Sequence, residues 1–182
     1  MNWANLVTYV RLLLIPVVVV VYYSDLPAPN VWAALLFAVA SLSDLLDGYL
    51  ARRLNLTSEF GAFLDPVADK LLVAIVLIML VENYPVLLAA TTVIIGREIL
   101  ISALREWMAT RGKRSAVAVA FSGKLKTTVQ MIAISALILA APQYPPIFWE
   151  LGLVLIHIAA LLSLYSMFHY FRNAWSVLFP KS

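Results

Sequence analysis

Residues 44–69, DLLDGYLARRLNLTSEFGAFLDPVAD, carry four aspartates in and beside strongly apolar segments: Asp44, Asp47, Asp65 and Asp69. Asp44 and Asp47 are three apart and Asp65 and Asp69 four apart, so on helices each pair shares one face. The polar run from Arg52 to Glu59 is long enough for a turn that folds the second helix back against the first. Such a hairpin brings two carboxylate pairs together at similar depth. Left bare, the cluster would repel itself and be costly to desolvate. A hard divalent cation bound by oxygen ligands is the natural compensation.

The rest of the chain sets this hairpin in a membrane. Of its 182 residues 63% are apolar and only 13% charged, and the mean hydropathy is +0.92. Ordinary soluble domains are about 45–50% apolar, and the successive apolar runs match the length a helix needs to cross the hydrocarbon layer. The composition therefore predicts an all-α, polytopic membrane protein with one helical domain over 1–182. The net charge of +3 comes with no basic tract suited to nucleic acid. The absence of cysteine excludes disulfides, thiol catalysis and Cys-ligated zinc. The first apolar run lacks a small-x-small cleavage site, so it is expected to be a retained span rather than a signal peptide.

Six transmembrane helices are predicted, over 5–23, 31–53, 60–81, 86–110, 116–140 and 147–172. Three of the turns between them hold Pro27 and Pro29, then Pro85, then Pro142, Pro145 and Pro146, and contain no Lys or Arg. The alternate turns hold Arg52 and Arg53, then Arg111, Lys113 and Arg114, and the far end adds Arg172 and Lys181. The positive-inside rule then puts both termini and both basic turns in the cytoplasm. Tyr22, Tyr23, Trp32, Tyr84, Tyr144 and Trp149 collect at the opposite interface as an aromatic belt. Both carboxylate pairs fall close to the cytoplasmic surface.

Other polar residues enter the same half. Span one begins with Asn5, Thr8 and Arg11, with Pro16 deeper in. Span four carries Arg97, Glu98, Ser102, Arg105 and Glu106, and span five Lys124, Lys126, Thr127, Thr128 and Gln130. Ionisable residues within a span are expensive and mark function by default. The basic ones suit a phosphorylated substrate: arginine offers forked donors and lysine a compact charge. Pairing with Glu98 or Glu106, or snorkelling to anionic headgroups, is the competing use. Arg111, Lys113 and Arg114 are expected to set topology, and His157 and His169 to pack. Lys70 either balances charge beside Asp69 or points off that face. Ser41 and Ser43 have no accompanying base, and no Walker-type phosphate loop is present.

The spacing Asp44-x2-Asp47-Gly48-x2-Ala51-Arg52-x8-Gly61-x3-Asp65-x3-Asp69 resembles the full signature of the CDP-alcohol phosphatidyltransferases, with no position missing. The prefix Asn5-x2-Thr8-x2-Arg11-x4-Pro16 is similar to that family too. GREILISALREWMA (Gly96 to Ala109) and GKLKTTVQM (Gly123 to Met131) resemble its phosphatidylglycerophosphate-forming branch, which joins CDP-diacylglycerol to glycerol 3-phosphate. The resemblance covers essentially the whole chain, is strongest from 41 to 131, and is weak in span six. It implies a bacterial inner-membrane enzyme with six transmembrane helices, a lipid-facing cleft, two divalent cations (Mg2+ or Mn2+) and a homodimer. It also implies that Asp44, Asp47, Asp65 and Asp69 bind the metals, with Asp69 as base. Asn5, Thr8, Gly48, Ala51, Arg52 and Gly61 would hold CDP-diacylglycerol. With only four residues before Asn5, any cytosolic arm ahead of span one is expected to be very short.

Chemically, the implied reaction is displacement at phosphorus, in which positioned cations stabilise charge on the phosphate oxygens. Asp69, deepest in its helix, is placed to take the hydroxyl proton. Gly48 and Ala51 would let a nucleotide approach the helix backbone, or would serve close helix packing. Arg105 and Lys124 are the leading candidates for the acceptor phosphate, followed by Arg97 and Lys126, with Arg11 from span one. Competing expectations are the same chemistry on inositol phosphate, serine or phosphatidylglycerol, a divalent-cation transporter, and a lipid-binding structural protein. An ion path would need polar residues through the full thickness, whereas here they stop in one half.

Overall fold

The computed structural model describes the backbone of residues 3–54, 59–111 and 121–178. Within these, the side chains of 3–8, 44–54, 59–63, 65, 66, 121–124, 176 and 178 lie outside the described residues. Six α-helices follow in order: α1 (Trp3–Tyr22), α2 (Pro29–Leu54), α3 (Glu59–Asn83), α4 (Leu88–Thr110), α5 (Phe121–Leu139) and α6 (Ile147–Leu178). A 3-10 turn, Pro85–Leu87, leads into α4. No strand occurs among the described residues. Pro29 stands at the first position of α2, where the missing N–H costs nothing and the fixed φ suits the helix.

The connections gather at two ends. The proline-rich end joins α1 to α2, α3 to α4 and α5 to α6, and the charged end joins α2 to α3 and α4 to α5. α3 runs back alongside α2, and among the described residues these two helices touch only slightly while α1 packs against both. Ile15 and Val18 of α1 share one core with Phe37 of α2 and Leu72, Val76 and Leu77 of α3. A third helix therefore braces the two helices that carry the carboxylates. On the other side α5 and α6 pack extensively, α4 lies on α6, and α5 reaches across to α2.

Two apolar clusters hold the bundle. The larger extends through Leu80, Leu87, Ile94, Ile134, Leu137 and Ile156. The smaller joins Ile101, Leu104 and Met108 of α4 to Tyr170 and Ala174 of α6. This second cluster explains why α6 continues to Leu178, six residues past the predicted end at 172: Ala174 and Val177 still have α4 to pack on. Predicted span five opens at 116, and residues 112–120 lie outside the described residues. The described part of α5 begins at Phe121.

Apolar side chains also cover the outside. Leu13, Val20, Ile78, Ile99, Leu161 and Phe168 are all at least 60% exposed, a lipid-facing surface no soluble monomer would leave to water. The segments Pro85–Thr110 and Ile147–Trp175 alone are long and apolar enough to cross a bilayer among the described residues. Within their described residues, α1, α2 and α5 contribute the apolar runs Tyr9–Tyr22, Pro29–Ser43 and Leu125–Leu139. Asp69 and Lys70 interrupt the apolar run of α3 near the charged end. The six predicted spans thus stand as six helices.

Polar ties close the proline-rich end. Asn30 Nδ2 donates to the Ile138 carbonyl at 2.8 Å, linking α2 to α5 in the interior. The Tyr84 hydroxyl donates to the Ala140 carbonyl, and its ring lies 4.8 Å from that of Trp149. The Tyr23 hydroxyl donates to Glu82.

Candidate active site

At the charged end, a cleft of about 230 Å³ opens between α3, α4, α5 and α6. Asp69 of α3, Arg97, Glu98 and Arg105 of α4, Lys126 of α5 and Tyr170 of α6 line it. Helical spacing produces this convergence. Arg97, Ile101 and Arg105 recur at intervals of four along α4, so both arginines fall on the face that bears the cleft. Ser102 and Thr127 add hydroxyls to the wall.

Three of these charges are tied together. Glu98 Oε1 accepts from Arg97 Nη1 at 3.0 Å and also from Lys126 Nζ. Lys126 is 3% exposed and Arg97 8%. Buried cations without a partner would cost several kcal/mol each, and the shared carboxylate is what lets both stay charged there. Asp69 is near enough to Lys126, and Lys70 to Glu98, for direct attraction. Among the described residues Arg105 makes no ion pair and is exposed. Among the described residues four cations (Lys70, Arg97, Arg105 and Lys126) and two carboxylates line the cleft. Those cations suit an anion.

The predicted site residues divide by position. Asp69, Arg97, Arg105 and Lys126 come together in the cleft. Arg11 sits on α1, 1% exposed among packed helices, and does not line it. Asp44, Asp47, Gly48, Ala51 and Arg52 lie on α2, Gly61 and Asp65 on α3, Asn5 and Thr8 on α1, and Lys124 on α5. Their side chains lie outside the described residues. The backbone still puts Asp44 and Asp47 in the closing turns of α2 and Asp65 and Asp69 in the opening turns of α3.

The pairing of Arg97 and Lys126 with Glu98 is the competing use considered from sequence, and it is realised inside the cleft rather than away from it. Sequence reading passed over Tyr170 and Ser166 on α6. Their signal was present: Ser163, Ser166 and Tyr170 recur at helical spacing in an otherwise apolar segment. His157 is exposed on α6 with Nδ1 2.7 Å from the Leu153 carbonyl of its own helix, and neither it nor His169 lines the cleft.

The family model of the CDP-alcohol phosphatidyltransferases matches residues 1–168. The chain belongs to that family. It is 48% identical, over 178 residues, to the CDP-diacylglycerol–glycerol-3-phosphate 3-phosphatidyltransferase of Salmonella choleraesuis (strain SC-B67), covering 95% of this chain and 94% of that one. The same identity and coverage relate it to enzymes of that name from Shigella flexneri serotype 5b (strain 8401) and Escherichia coli (strain K12). Membership makes the bundle a membrane-bound transferase, and the family's chemistry depends on divalent metal ions. The residues present fit that requirement. Two helices supply four carboxylates near one end, an all-oxygen donor set of the kind hard dications take. Asp69, the described member, borders the anion-suited cleft.

Proposed function

We propose that the chain transfers the phosphatidyl group of CDP-diacylglycerol to glycerol 3-phosphate, giving phosphatidylglycerol phosphate and CMP. The observation that carries this reading is one cleft in which Asp69 stands beside Arg97, Arg105 and Lys126. A proton acceptor and a phosphate-binding set thus meet at one end of a membrane bundle. The 48% identity to enzymes named for this reaction supports the choice of acceptor.

Asp44, Asp47, Asp65 and Asp69 would hold two divalent cations, Mg2+ or Mn2+. When bound, these neutralise the diphosphate and stabilise charge on the attacked phosphorus and the departing CMP. Asn5, Thr8, Gly48, Ala51, Arg52 and Gly61 serve the CDP-diacylglycerol side of the site. Arg105, Arg97 and Lys126, which line the cleft, serve the acceptor phosphate together with Lys124; Arg11, buried away from the cleft, is left out of that set. Arg105, exposed and with no ion-pair partner among the described residues, is the first of these to meet an incoming dianion, and a guanidinium can take two phosphate oxygens at once. Asp69 takes the proton from the 1-hydroxyl of glycerol 3-phosphate as its oxygen bonds to the diacylglycerol-bearing phosphorus. The bond from that phosphorus to the CMP oxygen then breaks.

The charged end faces the cytoplasm of a bacterial inner membrane, as the placement of Arg52, Arg53 and Arg111 favours. Both soluble substrate and CMP then exchange with the cytosol. The working unit is a homodimer, as the family resemblance implies, embedded among membrane lipids.

The test is an acceptor panel. Purified protein with CDP-diacylglycerol and Mg2+ or Mn2+ is offered glycerol 3-phosphate, inositol phosphate, serine or phosphatidylglycerol, and CMP release is followed. Glycerol 3-phosphate alone should raise release well above the no-acceptor rate, and a chelator should silence it until metal is restored. Release no greater than the no-acceptor rate would sink the choice of acceptor.

A further inference from the structure

The acceptor-phosphate candidates come from α4 and α5, yet α6 supplies two of the contacts that fix Arg97. Arg97 Nη2 donates to Ser166 Oγ at 2.8 Å, and its guanidinium carbon lies 5.7 Å from the centroid of the Tyr170 ring. Ser166 and Tyr170 are four apart, so a single face of α6 presents both. Ser166 is 1% exposed and Tyr170 5%, and Tyr170 forms part of the cleft wall. With Glu98 on Nη1, the guanidinium is gripped by two helices. Its Nε–H is buried and has no hydrogen-bond partner among the described residues.

Tyr170 also packs in the smaller apolar cluster, but packing alone does not call for the hydroxyl of Ser166. Further along the same seam α6 offers Ala174 to Met108 and Leu104, and apolar residues suffice there. The polar pair occurs where α6 meets a buried cation. A long arginine side chain otherwise loses its rotational freedom when it binds, and holding it beforehand removes that cost from the binding step.

Resting on the reading that this cleft takes glycerol 3-phosphate, we propose that Ser166 and Tyr170 are positioning residues for the acceptor: they hold Arg97 in the orientation that meets its phosphate. They touch neither the reacting phosphorus nor the hydroxyl. Their effect therefore falls on use of the acceptor and leaves the lipid substrate alone.

Steady-state kinetics for both substrates on Ser166→Ala, Tyr170→Leu and Tyr170→Phe tests this. Loss of a charge-assisted hydrogen bond in Ser166→Ala should raise KM for glycerol 3-phosphate about five- to tenfold. Tyr170→Leu, which removes the ring, should raise it about threefold. Tyr170→Phe keeps the ring face and should match the wild type. In all three, kcat and KM for CDP-diacylglycerol should stay near wild-type values. An acceptor KM unmoved in both Ser166→Ala and Tyr170→Leu overturns the role, as does an equal rise for both substrates or a Tyr170→Phe that behaves like Tyr170→Leu. Should Ser166→Ala not fold, the two Tyr170 variants decide. Wild-type turnover, measured alongside, keeps the two readings apart. An active wild type with unmoved variants defeats only the positioning role, and a wild type inert to glycerol 3-phosphate defeats the substrate reading itself.

Discussion

Polar groups at the proline-rich end of the bundle pair with backbone carbonyls or near neighbours, as Asn30 does with Ile138 and Tyr84 with Ala140. At the charged end, polar groups from four helices converge on one cleft, and Glu98 is shared by two cations. The first arrangement fastens helix to helix and ends there. The second leaves Arg105 without an ion pair and Arg97 Nε without a hydrogen bond among the described residues. Buried polar groups in folded proteins are nearly always satisfied, so a buried arginine Nε–H left over on the wall of a cleft that gathers charges from four helices points to a ligand. The difference teaches that polarity within a membrane bundle is not itself a mark of function. Convergence with unmet bonding capacity is.

The comparison breaks most sharply at Asp69. Asp69→Asn keeps shape and removes charge and basicity, and should lower kcat about a thousandfold while the thermal midpoint in detergent holds. A variant retaining more than about a tenth of wild-type turnover would remove Asp69 from the machinery. Arg105→Ala comes next. Its side chain is exposed and makes no ion pair among the described residues, so truncation should cost no more than about 0.5 kcal/mol of stability. KM for glycerol 3-phosphate should nevertheless rise about ten- to hundredfold, with KM for CDP-diacylglycerol little changed. Equal rises in both would place Arg105 on the lipid side of the cleft.

What residue order revealed, and what it hid, follows the same division. Asp44, Asp47, Asp65 and Asp69 stand out because an ionisable group in an apolar run is costly wherever it ends up. Proline-rich turns alternating with basic ones give helix count and register for a similar local reason. The bracing of α2 and α3 by α1 is not local. It depends on which of several equally apolar faces meet, and Ile15, Val18 and Leu72 look no different from lipid-facing Leu13 or Val20 in a list of residues. The reach of α6 past residue 172 was hidden likewise, since Arg172 and Asn173 suggest an end while Ala174 and Val177 continue packing on α4. Ser166 and Tyr170 were underrated because each is commonplace in a membrane helix. Only the neighbouring Arg97 gives them meaning.

The smallest effect separates the two ends most cleanly. A Cβ built on Gly152 would stand 2.7 Å from Leu137 Cγ and 3.1 Å from the Leu137 backbone nitrogen, where α5 and α6 are in closest approach. The side chain of Leu137 can turn aside, but its backbone can only be pushed away. Gly152→Ala should therefore destabilise the bundle by about 1–3 kcal/mol, read as a lower thermal midpoint in detergent. Gly96, beside Arg97 in the chain, has nothing within 4 Å of its missing Cβ, and Gly96→Ala should stay within about 0.5 kcal/mol of wild type. Since Gly152 lies near the proline-rich end, molecules that remain folded should turn over at the wild-type rate with both KM values unchanged. If Gly152→Ala instead raised KM for glycerol 3-phosphate alone, strain at the α5–α6 seam would be reaching Lys126 or Arg97 along those helices, and fastening and catalysis would not be separable in this bundle.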